Sequence, residues 1–192
     1  MTRTIRLFDN SGTGQFTERI ISNTASVTLA VDAGDIDGDG ELDVVTSNYS
    51  ATSVVWYEND GTPGGSGTWT PHTVDAAVGK PWDVEVADID GDGDNDVIGM
   101  SRTDHNAFWF ANNGRGNFGT RQIIATGTVA PRMVEVVDLD QDGDLDVAVA
   151  SESDNTVAWF ENNGSQSFTR HNISTAVAVV PDTSRPEHLP RE

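Results

Sequence analysis

An aspartate-rich nonapeptide recurs three times along the chain and constrains its fold more than any other feature. The copies start at Asp35, Asp88 and Asp138, so successive starts lie 53 and 50 residues apart. Each first aspartate is followed 21 residues later by a tryptophan and then by an Asn-x-Gly turn signature. A spacing kept this closely indicates one structural unit of roughly 50 residues, repeated along the chain.

Within each repeat, short runs rich in Val, Ile and aromatic residues alternate with Gly, Asn and Asp. This pattern is typical of strands joined by tight turns rather than of helices. In the second repeat we expect four strands, A to D, at about 83–88, 96–101, 106–111 and 118–124. Four-stranded antiparallel units of this length, stacked side by side, predict an all-β propeller whose units are its blades.

The N-terminal segment repeats only the second half of the unit. Leu7-Phe8-Asp9-Asn10-Ser11-Gly12, followed by Phe16, matches the tryptophan and turn segment of the later repeats without a preceding nonapeptide. We therefore predict three full blades plus an outer half blade made of strands C and D. The predicted units are 1–24 for the half blade, 25–76, 77–127 and 128–175 for the full blades, and 176–192 for a C-terminal strand or tail.

The nonapeptides concentrate carboxylates so densely that they predict a cation site in each repeat. Five acidic residues within nine positions repel one another unless a multivalent cation bridges them. Positions 1, 3 and 5 place side chains on one side of a tight loop, position 7 offers its backbone carbonyl, and position 9 closes the shell. The predicted ligands are Asp35, Asp37, Asp39, Glu41 and Asp43; Asp88, Asp90, Asp92, Asp94 and Asp96; and Asp138, Asp140, Asp142, Asp144 and Asp146.

All-oxygen ligation favours calcium, and magnesium comes second because it demands strict octahedral geometry. The loops are not EF-hands, because position 12 holds Thr46, Gly99 and Val149 instead of a glutamate. The alternative is that the Asp-Gly pairs only form polar hairpin turns. Such a turn needs one or two aspartates, so three loops of five favour three calcium sites per chain.

The nonapeptide and its trailing Trp/Phe-rich turn resemble the FG-GAP/VCBS-type repeats. That family includes the calcium-binding propeller of integrin alpha subunits, fungal propeller lectins and many exported bacterial proteins. The resemblance covers roughly residues 2–175 and implies a propeller of six to eight blades. It also implies recognition of extracellular carbohydrate or of a protein ligand. Two alternatives stay open, a fragment of a propeller-type lyase or dehydratase and a structural, self-assembling propeller subunit.

The loop end opposite the nonapeptides is where we expect a ligand. In this strand order the B–C and D–A loops share that end, and their sequences differ from repeat to repeat, as a binding site on a rigid frame would. An exposed tryptophan beside arginine and histidine would stack on a sugar ring and hydrogen-bond its hydroxyls. The alternative is that the tryptophan caps the blade core. The candidates are Tyr49, Trp82, Arg102, His105 and Arg132.

Three further acidic residues precede the nonapeptides by three positions, at Asp32, Glu85 and Glu135. They fall on strand A, which lies nearest the axis of a propeller. We expect them to form either a solvated channel wall or a ring that binds a cation.

Composition narrows the function further. The chain carries 31 acidic against 11 basic residues, a formal charge of −20, which opposes binding to nucleic acid or to anionic membranes. It has no cysteine, so thiolate chemistry is excluded. His72, His105, His171 and His188 have no Ser, Cys or carboxylate partner at a diagnostic spacing. We therefore expect a noncatalytic protein.

Localisation and assembly follow from these expectations. Millimolar extracellular calcium would fill even weak sites, so we expect an extracellular or cell-surface protein, although the first residues lack the apolar core of a secretory signal. Three and a half blades leave blade faces uncovered. Either two chains close one ring as a homodimer, with residues 175–180 lending a strand, or the chain is part of a longer protein.

Overall fold

The structure is a computed structural model, and it describes residues 3–10, 12–61 and 69–175. Within these ranges the chain forms fourteen β-strands and no helix. The all-β prediction is therefore confirmed. The predicted C-terminal strand or tail, 176–192, lies outside the described residues.

The strands form one hairpin and three four-stranded sheets. The hairpin consists of β1 (Arg3–Asn10) and β2 (Phe16–Ala25). The first sheet contains β3 (Thr28–Gly34), β4 (Asp43–Asn48), β5 (Ser53–Glu58) and β6 (Thr70–Asp75). The second contains β7 (Pro81–Ala87), β8 (Asp96–Ser101), β9 (Asn106–Phe110) and β10 (Gln122–Thr126). The third contains β11 (Pro131–Val137), β12 (Asp146–Ser151), β13 (Thr156–Asn162) and β14 (Phe168–Ser174).

Each sheet is an antiparallel meander in which every strand pairs with its neighbour in sequence. Repeated loop lengths fix the register, so that Asn10 pairs with Phe16, Asn112 with Phe118 and Asn162 with Phe168. This shared register identifies the hairpin as the C–D half of a blade. The sheets are the successive blades of a partial propeller, as the repeat predicts.

Two predicted strand starts in the second repeat are wrong. Strand D of the second repeat was expected at 118–124 but begins at Gln122, because Gly119 N donates to Ala111 O at 2.7 Å and extends the turn. Strand A was expected from residue 83 but begins at Pro81, the first residue of an edge strand, where a missing N–H costs no ladder hydrogen bond.

The hydrophobic core lies between the sheets. One cluster joins the first and second sheets and another joins the second and third, while Ile21 of the hairpin packs on Val44 and Tyr57 of the first sheet. The third strand of each sheet is apolar on both faces because it lies between two neighbours. Trp56 and Trp109 are accordingly buried, whereas Trp159 is only half-buried because no described sheet follows it.

None of the described residues belongs to a helix of the length and apolar character required to cross a bilayer.

Candidate metal loops and the opposite loop end

Each nonapeptide forms the loop between the first and second strands of its sheet, and its first aspartate organises it. Asp35 accepts from Gly38 N at 2.8 Å through Oδ1 and from Gly40 N at 3.0 Å through Oδ2. Asp88 accepts from the equivalent Gly91 and Gly93 at 2.8 and 2.9 Å. The glycines have φ values between 75° and 97°, a region that favours glycine, so the loop curls around the carboxylate.

The ninth residue ties the loop to the rest of the sheet. Asp43, which is fully buried, accepts from Ile36 N at 3.0 Å and from Asn59 N at 2.8 Å. Asp96 and Asp146 repeat both bonds in their own sheets. Burial, together with the charges of nearby aspartates, raises the pKa of Asp43 to about 6 and that of Asp96 to about 7. A cation at this point would keep these carboxylates ionised.

The loops bring three carboxylates together in every repeat. In each group, one oxygen from each of the three residues lies within 4.8 Å of the others. Burial and the neighbouring carboxylates together raise the pKa of Asp37 and Asp90. The groups are Asp35, Asp37 and Asp39; Asp88, Asp90 and Asp96; and Asp138, Asp140 and Asp146.

One atom in these groups has a particular need for a cation. Asp138 Oδ1 is buried and has no hydrogen-bond partner among the described residues. Leaving a carboxylate oxygen buried and unpaired costs free energy, which a bound cation would recover. The donor set is therefore of the right kind for a hard divalent ion, and the residues present fit calcium.

The remaining predicted ligands contribute in a different way. Asp92 and Asp142 accept from the backbone N–H of position 7 at 2.9 and 3.0 Å and lie outside the groups of three. The position 7 side chains, Glu41, Asp94 and Asp144, lie against the glycines of the Asn-x-Gly turns, Gly61, Gly114 and Gly164. Their predicted role as carbonyl ligands stays a prediction.

The opposite end brings together four of the five predicted ligand-binding residues. The Tyr49 ring meets the Trp82 ring edge to face, with centroids 5.6 Å apart. The guanidinium groups of Arg132 and Arg102 lie 4.1 and 4.7 Å from the centre of the Trp82 ring. We call Tyr49, Lys80, Trp82, Arg102, Arg132 and Glu152 the arginine–tryptophan cluster.

Two members of this cluster were missed in the sequence. Glu152 accepts from Arg132 Nε at 2.7 Å and lies 3.7 Å from Arg102 Nη2, while Lys80 Nζ lies 5.3 Å from the centre of the Tyr49 ring. Glu152 stands at the same repeat position as Tyr49 and Arg102, fourteen residues after its first aspartate. This shared repeat position could have identified Glu152 as a candidate from the sequence.

His105 takes part in a neighbouring contact instead. Its Nδ1 accepts from Ala130 N at 3.5 Å and its carbonyl oxygen accepts from Thr128 N at 3.2 Å, so it links the β8–β9 turn to the loop before β11.

The Trp82 ring is already in contact with Arg102 and Arg132, whose guanidinium groups lie over it. A sugar could therefore not stack on the Trp82 ring without displacing a guanidinium group. These two guanidinium groups are the groups best placed to donate to a ligand.

The acidic residues of strand A link the blades. Asp32 Oδ2 accepts from Val86 N at 2.8 Å, and Glu85 Oε2 accepts from Val136 N at 2.9 Å, so each carboxylate holds the first strand of the next sheet. Burial raises the pKa of Glu85 to about 7, and the carboxylates of Glu135 and Asp32 add to the effect. The sequence predicted either a solvated channel wall or a cation-binding ring at these positions, and it did not reveal this link.

Two histidines have carboxylate partners that the sequence spacing did not reveal. His72 Nε2 lies 2.7 Å from Glu58 Oε2, and His171 Nε2 lies 2.6 Å from Glu161 Oε2. Each imidazole also stacks on the tryptophan of its own sheet, because the fourth strand pairs with the third. The partners lie 14 and 10 residues apart in sequence, so no common spacing marks them.

A family comparison agrees with this architecture. The FG-GAP-like repeat matches residues 2–46, 35–99, 88–149 and 138–184. The chain therefore belongs to the FG-GAP-like repeat family. No curated protein sequence matches it significantly.

A solved lectin structure shows the same fold. A lectin of Agrocybe aegerita, described as specifically recognising non-reducing terminal N-acetylglucosamine, superposes with a TM-score of 0.58 at 18% identity over 91% of this chain. The matched part spans 47% of the lectin chain, about half its length. The Tc holotoxin pore of Photorhabdus luminescens matches with a TM-score of 0.36 at 15% identity, over 90% of this chain and 11% of its own.

Proposed function

We propose that the chain is a noncatalytic, calcium-stabilised binding module for extracellular carbohydrate. Calcium would be held by the three groups of carboxylates, with position 7 supplying a carbonyl oxygen. The observation that carries this part is the buried, unpartnered Asp138 Oδ1 within a group of three converging carboxylates. Bound calcium would neutralise the repulsion within each loop and so stabilise the edge of each sheet where the loop lies.

Calcium titration of the chelator-treated protein by calorimetry tests this part. We expect three sites, with weaker binding of magnesium because the groups supply carboxylates without an enforced octahedral arrangement. Asp138→Asn should remove one site and leave two. A heat of binding that is the same for the wild type and for this variant would contradict the assignment.

The carbohydrate part rests on the arginine–tryptophan cluster and on the lectin fold. The cluster places two guanidinium groups and a tyrosine at the variable end of three blades, where donors can reach a saccharide hydroxyl or acidic group. Arg102 is the arginine best placed to bind a ligand. Its guanidinium group lies 3.7 Å from the Glu152 carboxylate, whereas Arg132 forms a closer ion pair with the same carboxylate. The likeness to a lectin described as recognising N-acetylglucosamine supports saccharide as the ligand class.

A glycan array, run with and without calcium, tests this part. We expect Arg102→Ala to weaken binding of any glycan that the wild type captures. Arg115→Ala is the matched control, because Arg115 is an arginine in the Asn-x-Gly turn at the nonapeptide end. Equal loss in both variants would place the site elsewhere, and turnover of the glycan would favour the enzyme alternative.

The cellular location follows from the same proposal. Weak loop sites of this type need calcium at the millimolar level found outside cells, so we propose an extracellular or cell-surface location. Labelling of intact cells with an antibody to the chain, compared with permeabilised cells, checks it.

A further inference from the structure

Residues at the same position in successive repeats show how each blade is covered by the blade that follows it. Ile36 and Ile89, at position 2 of their loops, are 0% and 2% exposed beneath the following sheet. Their carbonyl oxygens accept across the boundary from Asn112 Nδ2 at 2.7 Å and from Asn162 Nδ2 at 3.1 Å. Gly116 N also donates to Ile36 O at 3.2 Å, and Trp56 packs against the α-carbon of Gly116.

The third sheet has the same face, which we call the forward face, and none of the described residues packs over it. Leu139, the equivalent of Ile36 and Ile89, is 43% exposed. Trp159 is half-buried where Trp56 and Trp109 are buried. Leu139 therefore stands at the position where, in the first and second sheets, the next blade packs.

The hairpin carries the complementary face, which in the second and third sheets packs on the preceding sheet, and within the described part of the chain nothing covers it. The shared register makes Phe8 the equivalent of Phe110 and Phe160. Phe110 and Phe160 are 2% and 3% exposed because they pack on the preceding sheet, whereas Phe8 is 55% exposed. By the same register, Asn10 corresponds to Asn112 and Asn162, and Gly14 to Gly116. Gly14 has a φ of 81°, close to the 79° of its turn neighbour Gly12, and no atom of the described residues would lie within 4 Å of a Cβ at Gly14.

Charge favours the same pairing. Residues 1–25 contain three arginines and two acidic residues, whereas residues 128–175 contain nine acidic residues and two arginines. The hairpin is thus a cationic segment in a chain of charge −20, and the third sheet is strongly anionic.

We propose that the forward face of the third sheet docks the N-terminal hairpin of a second copy of this chain. The chain's own hairpin packs on the first sheet, at the far end of the stack, and so cannot reach the third. In the assembly, Phe8 of the second copy covers Trp159, and Asn10 and Gly14 of the second copy donate to the Leu139 carbonyl oxygen. The contact is head to tail, because it joins two different surfaces.

Complementation between two variants tests this asymmetry. Phe8→Asp spoils the hairpin and leaves the third sheet intact, while Leu139→Asp does the reverse. We expect light scattering to give more than one chain per particle for the wild type and a single chain for each variant alone. An equimolar mixture of the two variants should form a dimer of one copy of each. Ile123→Asp is the matched control, since Ile123 is 47% exposed on the outer strand of the central sheet, and it should assemble like the wild type.

Cross-linking keeps the test independent of whether an aspartate variant folds. The chain has no cysteine, so Gly14→Cys and Leu139→Cys introduce single thiols. A short dithiol-reactive linker should join a mixture of the two variants and should join neither variant alone. The proposal is overturned if the wild type stays monomeric at all concentrations. That result would mean that further residues of the same chain cover the third sheet. Cross-linking of either cysteine variant to itself also overturns the proposal.

Discussion

The two loop ends of the blades are built from the same repeats and use them in opposite ways. At the nonapeptide end, the buried ninth aspartate accepts the same pair of hydrogen bonds from backbone N–H groups in all three loops. At the other end, one repeat position holds Tyr49, Arg102 and Glu152, and these unlike side chains meet in a single cluster. Identity between repeats marks a structural element, and divergence at a shared position marks a surface built once from several blades.

Removal of calcium should destabilise the nonapeptide end more than any single substitution does. Each site, saturated about a hundredfold above its Kd, contributes roughly 2.7 kcal/mol, so three sites shift the Tm of a domain of this size by about 20 °C. We expect chelation to lower the Tm by that order and added calcium to restore it. Scanning calorimetry in excess chelator, then in excess calcium, is the measurement. Superimposable unfolding curves would show that the nonapeptides are only polar turns.

A pair of substitutions separates the carboxylate ligands from position 7. Asp96→Asn removes a charge from a buried carboxylate that accepts two backbone hydrogen bonds, and replaces one acceptor by a donor facing an N–H. We expect a loss of about 3 kcal/mol in calcium. Asp94→Asn, where only the backbone carbonyl is a predicted ligand, should cost under about 1 kcal/mol. Urea unfolding in calcium measures both.

Equal losses for the two aspartates would mean that the position 7 side chain also binds the ion. Loss only at Asp94 would mean that the position 7 side chain, and not the buried ninth carboxylate, stabilises the loop.

The nonapeptide end could be predicted almost completely from the sequence because its information is local. Spacing places Asp35, Asp37 and Asp39 on one loop, and the repeat spacing places the loop between two strands. The fold class follows from the same repetition. The hydrogen bond that Asp43 accepts from Asn59 N follows less directly, since it joins residues 16 apart.

The opposite end could not be assembled in this way. Its contacts join residues of three sheets, and nothing within one repeat specifies that Glu152 reaches Arg132 or that two guanidinium groups lie over Trp82. Strand ends were also imprecise where a turn competes with pairing, as at Phe118, which makes only an isolated bridge before β10 begins.

A substitution in the arginine–tryptophan cluster tests the loop end opposite the nonapeptides. Trp82→Ala removes one edge-to-face aromatic contact and two cation–π contacts. We expect a loss of about 2 kcal/mol, with no change in calcium affinity. Trp82→Phe is the control, because it keeps a ring between Tyr49 and the arginines and should recover most of that loss. Urea unfolding and calcium titration are the measurements, and a changed calcium affinity would show that the two ends are coupled.

The smallest expected effect concerns the acidic link between the second and third sheets, which lies between the two ends. Burial raises the pKa of Glu85 to about 7 from a usual value near 4.5, with Glu135, Asp32 and Asp83 as the carboxylates that add to it. The folded protein therefore holds this proton more tightly than the unfolded chain. The contribution of Glu85 to stability is fully present below about pH 4.5 and is lost as the pH rises towards 7.

Glu85→Gln keeps an oxygen that accepts from Val136 N and removes the titration. Relative to the wild type, we expect the variant to gain on the order of 1 kcal/mol as the pH rises from 5 to 8, a figure reduced for solvent screening of a partly exposed group. Urea unfolding at both pH values in saturating calcium measures the difference. A difference between variant and wild type that stays constant with pH would show that Glu85 is ionised throughout, so that the carboxylates of neighbouring blades repel one another across the boundary they hold together.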